Sequence, residues 1–114
     1  MKFKEIINEV VEILARCEGN FITAYQICQK IERAHPDLWQ RITIAYPSTD
    51  PNRAMGEGTG NYYSPASFVS HALKHQTTNN PRIVQEVLSC EGVLFGDVAP
   101  GFTGNKITIW ALRA

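Results

Sequence analysis

The spacing of apolar residues changes character once along this chain. From Phe3 to about residue 90 they recur mostly three and four apart, and from Val93 onward they crowd into two runs rich in β-branched and aromatic residues. A chain patterned in this way buries helices against a terminal β-ribbon; it does not alternate strands and helices along a parallel sheet. Its 114 residues suit one domain, and a composition of 44% hydrophobic and 19% charged residues supports a packed core and argues against disorder. No apolar run approaches the roughly 18 residues of a membrane span. Glu5, Glu9 and Glu12 lie among the apolar residues of the first segment, which is therefore not expected to be a signal peptide. Cys17, Cys28 and Cys90 form no metal or redox spacing and read as buried free thiols of a cytoplasmic protein.

Local signals place the elements. Phe3, Ile6, Ile7, Val10, Val11 and Leu14 make one helical stripe, and Gly19 is a natural stop, so a helix is expected from about 3 to 17. Thr23 and Gln26 fit a capping box, with Ile22 and Ile27 spaced as a hydrophobic staple, so a second helix should start at Ala24 and stop before Pro36. Phe21 and Ile22 suit a very short strand, and 37–43 one or two further helical turns. A Gly/Pro-rich loop follows at about 45–62. Ser64-Pro65 opens a helix over 65–76, with Phe68, Val69, Ala72 and Leu73 on its buried face. Asn80-Pro81 repeats that signal and predicts another helix over about 81–90. Residues 93–98 and 106–112 then read as a hairpin whose tip is the Pro/Gly/Asn segment between them. The predicted fold class is α+β, a bundle of four to five helices with a C-terminal β-hairpin.

This order of elements, carried by the capped segment Phe21–Ile31, the helix Ser64–Gln76 and the hairpin Val93–Leu112, resembles the winged-helix architecture, a helix-turn-helix variant whose hairpin forms a wing. The resemblance covers most of the chain as a pattern of elements. The sequence departs from it in the loop of roughly 20 residues that precedes the helix 65–76, where a short turn is usual, and in the helix expected at 81–90. Two threadings stay open: 65–76 or 81–90 as the recognition helix. The first is preferred, because its outer face carries small donors and bases. The resemblance implies DNA binding in a regulatory capacity; the same fold also serves as a protein–protein adaptor without nucleic-acid affinity or catalysis.

Net charge neither drives nor forbids either role. Eleven Lys and Arg balance eleven Asp and Glu, and residues 61–114 carry four bases against three acids, so nucleic-acid binding has to come from a local patch. Ser67, Ser70, His71 and Lys74 lie at i, i+3, i+4 and i+7 of one helix and share a stripe. Lys74 can neutralise a phosphate, protonated His71 can do the same, and the serines admit close approach; the competing reading is a solvated helix face. Phe102, Asn105 and Lys106 at the hairpin tip offer an aromatic, an amide and a cation, unless Phe102 folds back onto the core. Arg82 and Arg53 are further cations without an assigned place. Gly56, Gly58 and Gly60 follow no dinucleotide or P-loop spacing, and Glu57 would repel phosphate. His71 and His75 have metal-compatible spacing but no evident third ligand. No nucleophile or metalloprotease motif is present. The expectation is no enzyme, no cofactor and no metal. The partner is double-stranded DNA or a protein. Apolar residues on both faces of the last strand, and Ile13 and Cys17 off the main stripe of the first helix, allow a homodimer.

Overall fold

Thr23 sets the first internal boundary by hydrogen bonding. Gln26 N–H donates to its hydroxyl at 3.1 Å, and its own N–H donates to the Gln26 side-chain carbonyl at 2.8 Å. This reciprocal box fixes the start of α2 (Ala24–Ala34), as the sequence predicts. The computed structural model describes residues 1–48, 63–89 and 106–113. Ahead of α2 come a 3₁₀ turn at Phe3–Glu5, α1 (Ile7–Arg16) and a two-residue strand, β1 (Ile22–Thr23). The first helix is thus shorter than expected, because Ile6 leaves helical angles between the turn and α1. Gly19 terminates it in the left-handed region at φ +84.

His35 caps two helices at once. It ends α2, and α3 (Pro36–Ala45) starts immediately behind it with Pro36 at its first position. The expected one or two turns are thus a ten-residue helix. The helix α4 (Pro65–Gln76) has the predicted bounds and the predicted buried face of Phe68, Val69, Ala72 and Leu73.

The helix expected at 81–90 is instead a strand, β2 (Ile83–Ser89), which pairs antiparallel with β3 (Lys106–Leu112) along all seven residues. The Asn80-Pro81 signal is satisfied differently: Arg82 N–H donates to the Asn80 side-chain oxygen at 3.1 Å, so Asn80 shapes a turn and caps no helix. The strand 106–112 pairs with Ile83–Ser89, while the segment 93–98 expected to form a hairpin with it lies outside the described residues, as do residues 49–62 of the loop expected at about 45–62. The threading with 81–90 as recognition helix falls with this correction.

The sheet order is β1-β3-β2, all antiparallel. Trp110, 1% exposed, stands at its centre with Ile22 on one side and Gln85 on the other. Trp110 and Leu112 on one face of β3 and Ile107 and Ala111 on the other are all buried, so this strand is covered on both faces. One apolar cluster runs from Ile6, Val10 and Leu14 through Ile27, Ile31 and Ile42 to Phe68, Leu73, Ile83 and Trp110. Among the described residues no helix is long and apolar enough to cross a membrane.

Candidate nucleic-acid interface

Residue choice at the start of α4 determines what its outer face can offer. Ser64, fully buried, accepts from Ser67 N–H at 3.2 Å, while Ser64 N–H donates to the Ser67 hydroxyl at 2.8 Å. The Ser67 hydroxyl in turn donates to the Ser64 carbonyl at 3.1 Å. Ser67 therefore belongs to a serine capping box and is half-buried, so its hydroxyl is committed to its own helix and not offered to a ligand. Ser70 is half-buried as well, while His71 and Lys74 are exposed.

His71 is held in place. Its Nδ1 lies 2.7 Å from the Ser67 carbonyl, an acceptor, so Nδ1 carries the proton and Nε2 is the ring atom free to meet a partner. The imidazole also packs against Tyr63, ring centroids 4.8 Å apart. Tyr63 belongs to an aromatic cluster with Phe3, Tyr46 and Phe68 that anchors the start of α4. Tyr46 stacks on Phe68 at 4.4 Å, and its hydroxyl donates to the Met1 carbonyl at 2.8 Å. Burial first, then the neighbouring Tyr63 and Glu5, push the Tyr46 hydroxyl above its ordinary range, so it remains a donor. His75, one turn beyond His71, rests 5.8 Å from Phe3.

Electrostatically, α4 carries Lys74, His71 and His75 and no carboxylate. The ion pairs among the described residues lie elsewhere: Arg16 with Glu12 at 2.8 Å and Arg41 with Glu5 at 2.9 Å. Lys106 opens β3, exposed and opposite Ser89, while Phe102 and Asn105 lie outside the described residues. Of the seven predicted contacts, two thus stand outward on α4, one stands at the distal end of the ribbon, Ser67 and Ser70 are half-buried, and two lie outside the described residues.

Sequence reasoning missed two residues. Tyr63 carries no local signal in the sequence, and its packing on His71 follows only from the fold. Arg113 was not singled out; the register of β2 on β3 brings it to Arg82. The signal that could have found it is the β-branched set Ile83, Val84 and Val87, which suits a strand as well as a helix.

The described residues hold no group of three or more His, Cys, Asp or Glu placed to bind a metal ion. A groove between Met1, Glu5, Arg41, Ile44 and Ala45 contains one carboxylate and one guanidinium, already paired with each other. Comparison of the chain with protein-family models, curated proteins and solved structures returns no match.

Proposed function

We propose that this chain is a winged-helix-like, non-enzymatic protein of the cytoplasm that binds double-stranded DNA in a regulatory capacity, with α4 facing the major groove and the terminal ribbon lying against the backbone. The observation that carries the reading is the outward side of α4: His71 and Lys74, three residues apart, are exposed on a helix that has no acidic side chain. The order helix, strand, helices, ribbon and the sheet order β1-β3-β2 support the winged-helix likeness. Ser67 contributes by fixing the start of α4 and the ring of His71.

A salt titration tests it. Binding to a random-sequence DNA duplex should weaken as salt rises, and Lys74→Gln should flatten the dependence of log affinity on log salt by about one unit. Absence of binding at low salt would overturn the reading in favour of the second one, a protein–protein adaptor. One observation favours that alternative: Val87 and Leu88 on β2 are 54% and 49% exposed, an apolar pair open to solvent on the ribbon.

A further inference from the structure

One pairing of charged side chains lies outside both the α4 stripe and the hairpin tip. Ile83 stands opposite Leu112, and the ladder continues one step beyond them, where Arg113 N–H donates to the Arg82 carbonyl at 2.7 Å. Two arginines therefore face each other across the end of the ribbon. Both are exposed, and neither joins an ion pair among the described residues. Like charges directly opposite in an antiparallel pair are destabilising, and arginine does not escape by losing its proton. Glu86, on the same face of the ribbon, is four positions along β2, about 13 Å away at the rise of a strand and too far to neutralise the pair.

The arrangement is ordered despite that repulsion. Arg82 Nε donates to the Arg113 carbonyl at 3.0 Å, while Arg82 N–H is held by the Asn80 side chain. The turn leading in from α4 is closed by Asn79 and Asn80 N–H groups donating to the Gln76 carbonyl at 2.9 Å. Asn80 also accepts from Ile83 N–H through its own carbonyl at 3.1 Å. The Nε bond fixes the plane of the Arg82 guanidinium. Its terminal nitrogens and the Arg113 guanidinium then have no hydrogen-bond or ion-pair partner among the described residues.

We propose that Arg82 and Arg113 form a phosphate clamp at the base of the ribbon, gripping a backbone phosphodiester of the bound nucleic acid. The inference rests on the nucleic-acid reading above and adds a contact to it. A phosphodiester presents the oxygens that guanidinium forks match, and its charge cancels the repulsion that the ribbon otherwise retains. The hydrogen-bonded turn holds the clamp in a set position relative to the helix that carries Lys74.

The test compares wild type, Lys74→Gln, Arg82→Gln, Arg113→Gln and the double arginine variant by salt-titrated binding to a random-sequence DNA duplex, with thermal unfolding of each free protein. The double variant should flatten the salt slope by about one unit, since the two arginines share one phosphate, and each single variant should lose most of that contribution. Without DNA, the single variants should unfold at the wild-type temperature or above it, because a like-charge contact has been removed. An unchanged slope in the double variant, with Lys74→Gln still flattening it, overturns the clamp and leaves the α4 reading standing. A slope flattened by the arginine changes but not by Lys74→Gln supports the clamp and removes α4 from the interface. A lower unfolding temperature with an unchanged slope identifies a purely structural pair and overturns the clamp. No duplex binding by wild type, or arginine-dependent binding of polyglutamate in its place, overturns clamp and DNA reading together.

Discussion

The hydroxyl of Ser67 shows how one side chain can satisfy a functional pattern while doing a structural job. Its spacing with Ser70, His71 and Lys74 puts it on the outer stripe, but the third helical position behind Ser64 is also where a capping box needs an acceptor. Only the outer-stripe reading is drawn from the sequence; the reciprocal bonds with Ser64 decide for the structural role, at a helix start packed by the aromatic cluster. Ser67→Ala should therefore cost about 0.5–1 kcal/mol of stability in urea unfolding, as loss of a cap partner does, and leave the salt slope of DNA binding unchanged. Cys28 is a second case of position overriding chemistry. Fully buried, and with Glu32 nearby, its thiol is pushed well above the ordinary range. Alkylation followed by mass spectrometry should label half-buried Cys17 in the native protein and reach Cys28 only on unfolding. Glu5 runs the other way. The Lys2 backbone N–H and then the Arg41 guanidinium hold its carboxyl below the usual carboxylate range, against the upward push of burial. Because the folded-state value is depressed, its contribution is present above the unfolded-state value and is lost as pH falls through the folded one. Glu5→Gln should remove part of the drop in urea midpoint between neutral and acid pH, and a variant with an unaltered acid limb would show that the Arg41 pair is inert.

At the level of elements, what could be read from the sequence divides by the range of the forces involved. The starts of α2 and α4 were legible because their signals, the Thr23–Gln26 capping box and the Ser64-Pro65 cap, lie within four residues of chain. The strand β2 was not. Ile83, Val84, Val87 and Leu88 fit a helical stripe as well as a strand, and Asn80-Pro81 is a plausible cap; only pairing with β3, from Ser89 opposite Lys106 to Ile83 opposite Leu112, settles the outcome. The same error hid the Arg82–Arg113 contact, which exists only in the observed register. The two structures make different demands on the apolar residues. In a helix over 81–90, Ile83 and Val87 would both be core. In the strand, Ile83 is 5% exposed and Val87 54%. Ile83→Ala should then cost about 2–4 kcal/mol, the range for buried aliphatic truncation. Val87→Ala should cost no more than about 1 kcal/mol. Equal costs in chemical denaturation would argue for the helix and against β2.

At the scale of the whole molecule, zero net charge separates local attraction from long-range attraction. Beyond a Debye length of roughly 8 Å at physiological salt, the balanced acids and bases leave little field to draw a polyanion in. The proposed binding draws on few cations: Lys74 on α4 and the Arg82–Arg113 pair at one phosphate, with Lys106 at the far end of the ribbon as a further contact. At about 0.9 unit per phosphate neutralised, these give a salt slope of about two to four, well short of the value for a protein with six to ten phosphate contacts. Association should be correspondingly unsteered, with an on-rate in the ordinary range of about 10⁵–10⁷ per molar per second, and most of the loss of affinity on adding salt should fall in the dissociation rate. Stopped-flow association and dissociation across a salt series measures both. A slope of six or more, or an on-rate that collapses with salt, would require a larger basic surface than Lys74, Lys106 and the two arginines can form, and would put the interface on a different side of the molecule.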